Sequence, residues 1–186
     1  MIKYPSKIYT ETEMLDLWNS FWSEVSPKSP RKDRPNLSPL SKDNPKYLIA
    51  LDGDKIVGYS GWVNKPTYNV LAGSTVIPEY RNQRISSNLI DKRMQLINDK
   101  PIIVSINNKN LPEGQWMAAF ERRGWIKNPT DEEIPEGLPI EAVESERKRI
   151  GGEKLLVWNP NSMNKAWNVV KAMSDLEANM FMFMET

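Results

Sequence analysis

At one residue, Pro78, the apolar spacing of this 186-residue chain changes its period. Upstream, Tyr47–Leu51, Ile56–Val63 and Tyr68–Ile77 are short strand-like runs. The first two are joined by Asp52-Gly53-Asp54-Lys55, whose Asp-Gly pair signals a hairpin turn. Downstream, Ile85, Leu89, Ile90, Met94, Leu96 and Ile97 recur at helical spacing over 84–98, with Arg93 falling inside the stripe. A proline cannot donate to a sheet ladder, so the third strand must stop there. The stretch therefore predicts three strands, a polar turn and a helix lying on their sheet.

The flanking segments extend this pattern. Residues 10–25 are predicted to be helical, because Thr10 and Glu13 match a capping box. Met14, Leu15, Trp18, Phe21, Trp22 and Val25 form its apolar stripe. Residues 26–45 hold five prolines and read as an extended loop, locally basic through Lys28, Arg31, Lys32 and Arg34. After the central helix come a short strand at 101–106 and a helix from Leu111 to Arg123, stopped by Gly124. A charged, irregular stretch follows at 127–152, then a strand at Lys154–Trp158. Asn161 or Ser162 caps a terminal helix bearing Met163, Ala166, Trp167, Val170 and Met173 on one face. Hairpin strands followed by strands alternating with helices indicate an α/β (α+β) fold with a mixed sheet.

Composition narrows the chemistry. The chain has no cysteine and no histidine, and its formal net charge is +1. Disulfides, thiol nucleophiles, imidazole bases and ordinary zinc sites are excluded, so no metal is expected. Near-neutral charge argues against a dedicated polyanion binder. Neither a secretory signal nor a membrane span is legible, so a soluble, cytoplasmic protein without a membrane partner is expected.

The turn after Pro78 carries the chemistry. A strand-to-helix turn aims free backbone amides at one point beside the positive end of a helix dipole, a ready site for a pyrophosphate. The amides of Asn82, Gln83, Arg84, Ile85, Ser86 and Ser87 would form that cradle, with hydroxyls from Ser86 and Ser87. At these residues the sequence resembles the GNAT superfamily of N-acetyltransferases. That family's strand ends Val-x-Pro-x-Tyr-Arg and is followed by Arg/Gln-x-x-Gly-x-Gly/Ala opening a helix. Val76, Pro78, Tyr80, Arg81, Ile85, Ser87 and Leu89 match; the two glycine positions hold Arg84 and Ser86. Those two residues fit if their backbone is helical and their side chains turn outward. The Asp52–Gly58 hairpin and Ala119-Phe-Glu-Arg-Arg-Gly-Trp125 resemble two further family segments.

The resemblance implies a GNAT-like mixed, mostly antiparallel sheet flanked by helices over residues 1–158. Residues 159–186 would add a C-terminal amphipathic helix, packed on the domain or forming a homodimer. It further implies an N-acetyltransferase that moves an acyl group from acetyl-coenzyme A to the primary amine of a small molecule or peptide, by direct attack. The strand at Ser74, Thr75 and Val76 would polarise the thioester carbonyl through a backbone amide and splay from its parallel neighbour at 101–106, opening a cleft for the pantetheine arm. Arg81, Asn107 and Asn110 would contact the coenzyme, and Tyr59, Trp62 and Tyr68 would face the acyl group. Phe120 stands where many members place a tyrosine that protonates the leaving thiolate, and a phenyl ring cannot do so. No catalytic acid or base is therefore assigned, and Glu79, beside the turn, is expected to face solvent. Two other readings fit the same residues: an inactive GNAT-fold binding or structural protein, and an acyltransferase acting on a nucleic-acid amine, to which the basic loop would contribute.

Overall fold

The computed structural model describes residues 1–25, 43–106, 113–150 and 155–161. The basic loop, Asn107, Asn110 and the terminal helix of the sequence reading lie outside the described residues, as do the side chains of Trp18, Trp22 and Val25. The chain divides into two compact units, residues 1–102 and residues 103–186.

In the first unit, β1 (Ile2–Lys3) and β2 (Tyr9–Thr10) both pair antiparallel with β3 (Lys46–Asp52). β3 runs antiparallel to β4 (Lys55–Asn64), and β4 to β5 (Asn69–Val76). The expected hairpin is thus present, with its turn at 53–54. β4 is buried at every position from Ile56 to Val63. A strand buried on both faces needs cover on both. One cover is α1 (Glu11–Val25), whose capping box forms: the Thr10 amide donates to Glu13 Oε1 and the Glu13 amide to Thr10 Oγ1, each at 3.3 Å. Its Met14 and Phe21 pack with Tyr47, Ile49, Ile56, Tyr59 and Ile77. Each such side chain contributes roughly 1.5–3 kcal/mol of burial. The other cover is α2 (Ile85–Ile97), which buries Ile85, Leu89, Ile90, Met94 and Ile97. Leu96 departs from the expected stripe and is 49% exposed, while Arg93 inside the stripe is buried.

The second unit holds β6 (Ile102–Ser105) from its second residue onward, α3 (Glu113–Glu121), β7 (Ile126–Lys127), α4 (Ile140–Ile150) and β8 (Leu155–Trp158). β8 is buried throughout and pairs antiparallel with β7. The 127–152 stretch corrects the sequence reading, because it contains α4 rather than only irregular chain. That helix presents little apolar pattern: Val143 is fully buried but Ile140 is 42% exposed. Polar contacts support it instead. Arg147 donates to Asp131 at 2.9 Å, to Glu144 one turn back at 2.5 Å and to the Pro129 carbonyl at 2.6 Å. Eight mostly antiparallel strands with flanking helices, among the described residues, make this an α/β (α+β) fold of the expected mixed-sheet class.

Candidate active site

The site grows out of the end of β5. Ile77 is fully buried and its amide donates to the Val57 carbonyl at 2.9 Å, which pins the strand end to β4. Pro78–Tyr80 form one 3-10 turn closed by the Tyr80 and Arg81 amides. The chain then passes through two left-handed residues, Asn82 (φ +63°) and Arg84 (φ +60°), before α2 begins.

The first bond of the helix runs from the Asn88 amide to the Arg84 carbonyl at 2.9 Å. The amides of Asn82, Gln83, Arg84, Ile85 and Ser86 have no acceptor among the described residues. No side chain caps the helix and its first turn carries no acidic residue. Free donors, the positive end of the dipole and no carboxylate in the helix's first turn make an anion cradle. The Arg84 backbone corrects the sequence expectation: it is left-handed rather than helical. Its side chain is exposed, as are Asn82 and Gln83. Ser86 and Ser87 are half-buried, and Ile85 belongs to the core. Arg81 folds back, donating from Nε to the Val76 carbonyl at 3.2 Å. Glu79 is exposed, as the sequence reading expects.

The second element is a bulge in β5. Ser74 lies opposite Ser60, but the next pair is Ala72 with Gly61, so Gly73 is the extra residue. Its φ of +28° suits glycine, and a Cβ there would stand 3.2 Å from Tyr59 Oη. From the α2 side, Arg93 Nη1 donates to the Gly61 carbonyl at 2.9 Å and to Ser74 Oγ at 3.2 Å. Burial without a charged partner pushes the Arg93 pKa down to about 9. The sequence reading marked neither the bulge nor Arg93 as part of the site. An Ala-Gly-Ser run inside a strand and an arginine inside an apolar stripe were the available signals.

The other expected residues are placed as follows. Ser74, Thr75 and Val76 are half-buried beside the bulge. Tyr59 is 6% exposed and packs edge-on against Phe21 and Tyr47, with ring centroids 5.4 and 6.0 Å away. Trp62, at 3% exposed, lies three residues along the same strand and therefore on the opposite face. The structure does not bring Tyr59 and Trp62 together. Tyr68 is half-buried just before β5, its carbonyl accepting from the Lys65 amide at 2.9 Å. In the second unit Phe120 is buried, its ring 4.9 Å from Trp125, and its carbonyl accepts the Arg123 and Trp125 amides that close α3.

A separate cavity of about 460 Å³ opens at the N-terminus of α1, where Glu11, Leu15, Asn44 and Lys46 are among the lining residues. Glu11 Oε1 is buried there without a hydrogen-bond partner, and burial raises the carboxyl's pKa. Among the described residues there is no group of three or more acidic side chains that could hold a metal, and no helix long and apolar enough to cross a membrane.

Comparison with known proteins agrees with this geometry. The sequence profile of the Acetyltransferase (GNAT) family matches residues 12–124. No curated protein matches the sequence. Solved structures share the fold at low identity. An acetyltransferase of the GNAT family from Staphylococcus aureus is 16% identical, with a TM-score of 0.54 over 87% of this chain and 100% of its own. The ribosomal-protein-S18-alanine N-acetyltransferase of Escherichia coli is 14% identical, with a TM-score of 0.52 over 88% of this chain and 98% of its own. The PaiA N-acetyltransferase of Thermoplasma acidophilum, solved in complex with coenzyme A, is 10% identical, with a TM-score of 0.53 over 86% and 99%.

Proposed function

The chain belongs to the GNAT acetyltransferase family, and from that premise we propose that it transfers an acetyl group from acetyl-coenzyme A to a primary amine by direct attack. The observation that carries the reading is the row of five amides from Asn82 to Ser86 that have no acceptor, in front of a helix with no acidic first turn. These residues fit a diphosphate. Acetyl-coenzyme A supplies the activated acyl carbonyl, and everything else is asked of the chain.

In this reading the α2 amides hold the coenzyme's diphosphate, with the exposed Arg84 guanidinium adding charge at its edge. Ser87 lies one residue further into the helix and offers its hydroxyl. The bulged segment Gly73–Val76 presents a backbone amide to the acyl oxygen, and Tyr59, against Gly73, bounds the acyl pocket on the α1 face. Asn107, Asn110, Phe120, Trp62 and Tyr68 remain candidate contacts of the coenzyme or the acceptor. No side chain is assigned as acid or base, so the amine proton leaves to water and positioning supplies the rate. The acceptor is the amine of a small molecule or a peptide, and the setting is the cytoplasm.

Calorimetric titration with acetyl-coenzyme A, followed by mass spectrometry of a mixed amine panel, tests the reading. Micromolar binding and a mass gain of one acetyl group on an amine are expected. No binding at high micromolar concentration overturns the proposal, and binding without acetylation of any amine favours a binding module on the same fold.

A further inference from the structure

A buried cation needs a reason. Arg93 is 2% exposed in the middle of α2, where an apolar side chain would complete the stripe. No carboxylate pairs with it among the described residues, and its Nε has no hydrogen-bond partner. Beside it the hydroxyl of Ser60, fully buried and opposite Ser74, is also without a partner. Replacing a buried charge by a packed apolar group is often neutral or stabilising, so stability alone does not account for this arginine.

Its two contacts do. Gly61 and Ser74 lie on either side of the register slip that leaves Gly73 unpaired. A bulge interrupts the ladder and leaves a carbonyl without its usual strand donor. Arg93 Nη1 donates to the Gly61 carbonyl at this slip and, from the same nitrogen, to Ser74 Oγ on the bulged strand. On the opposite face the Tyr59 ring closes over Gly73. The bulge is thus held on one side by a guanidinium and bounded on the other by a phenol.

We propose that Arg93 is a positioning residue that holds the β5 bulge in the shape that presents its amide to the acyl carbonyl, an inference that rests on the acyl-coenzyme A reading above. Arg93 itself touches neither coenzyme nor acceptor. Without it the strand is free to relax toward regular pairing with β4, and the carbonyl contact is lost while the diphosphate cradle on α2 is kept.

The probes are coenzyme A and acetyl-coenzyme A, which differ only in the group the bulge addresses. Dissociation constants for both are measured on the wild type, Arg93→Met, Arg93→Lys and Ser74→Ala, together with thermal melting. The wild type is expected to prefer acetyl-coenzyme A by roughly three- to tenfold, the worth of one neutral hydrogen bond. Arg93→Met is expected to bind coenzyme A within about threefold of wild type yet lose the preference. Arg93→Lys, which keeps one donor, should fall between. If Arg93→Met does not fold, Ser74→Ala, which removes one anchor and no charge, decides on the same ratio. A variant that keeps the full preference, or one that loses coenzyme A affinity together with melting temperature, overturns the inference. Equal binding of both probes by the wild type overturns it too, while leaving the acyl-coenzyme A reading standing. Failure of the wild type to bind either probe overturns both.

Discussion

The phenol of Tyr80 donates a 2.9 Å hydrogen bond to Asp52 Oδ2, tying the 3-10 turn that precedes the free amides of α2 to the end of the β3–β4 hairpin. The bond leaves a mark on both groups. Tyr80, then the chain's amino terminus and Lys55, hold the Asp52 carboxyl below its usual value, and Asp52 in turn raises the Tyr80 phenol above its own.

The sign of the pH dependence follows from those directions. A depressed carboxyl contributes stability that is complete above the unfolded carboxylate value and is lost as pH falls through the folded one. A raised phenol contributes stability that is complete below the unfolded phenol value and is lost as pH rises through the folded one. The pair therefore supports the fold across the range between about pH 4 and about pH 10. Tyr80→Phe is expected to lower the melting temperature at neutral pH and to converge with wild type at both extremes. Melting curves across pH check it, and a constant offset at every pH would remove the ion–phenol bond as the cause.

Arg84 sits where the family pattern has glycine, and its φ is +60°. Of the four non-glycine residues with positive φ among the described residues, the other three are asparagines, which tolerate that region. Arg84→Gly is expected to stabilise the protein by about 1 kcal/mol, since the left-handed strain goes and the exposed side chain gives up no cap. Urea denaturation measures it. Acetyl-coenzyme A affinity should fall only modestly, by about two- to fivefold, because the amide that the reading uses is retained and only an exposed, solvent-screened charge at the diphosphate's edge is lost.

Ser86→Asp separates stability from binding at the same helix end. A carboxylate in the first turn of α2 interacts favourably with the dipole, adding about 0.3–1 kcal/mol. The same charge repels a diphosphate, and acetyl-coenzyme A affinity should fall roughly tenfold or more. Calorimetry and denaturation on one sample read both effects. A variant that binds acetyl-coenzyme A as well as wild type would show that the cradle lies elsewhere.

Gly61 is required by close approach. A Cβ there would lie 2.7 Å from the Tyr47 ring and 2.8 Å from the Ala72 carbonyl oxygen, and the latter cannot swing away. Gly61→Ala is expected to cost about 1–3 kcal/mol by forcing β4 and β5 apart. It should also weaken the Arg93 contact to the Gly61 carbonyl. Denaturant midpoints test the first effect, and the coenzyme A to acetyl-coenzyme A preference the second.

What could be read from the residues alone was what local physics decides. The Asp-Gly turn, the stop at Pro78, the capping box at Thr10 and Glu13 and the periods of two and 3.6 depend on neighbours within a turn or a pleat, so β3, β4, β5, α1 and α2 were legible. So was the turn of unpaired amides before α2, because its donors belong to consecutive backbone positions. The opposite faces of Tyr59 and Trp62 were also open to view, since three residues along a strand reverse direction. α4 was hidden because its support is a charged side chain, Arg147, reaching Asp131 and Pro129 across sixteen and eighteen residues, rather than an apolar stripe. The bulge at Gly73 and the burial of Arg93 were decided only in three dimensions. Whether a strand slips by one residue, and whether an arginine in a helix meets a carbonyl or water, depends on a partner strand distant in sequence. No periodicity within the strand or the helix encodes that partner.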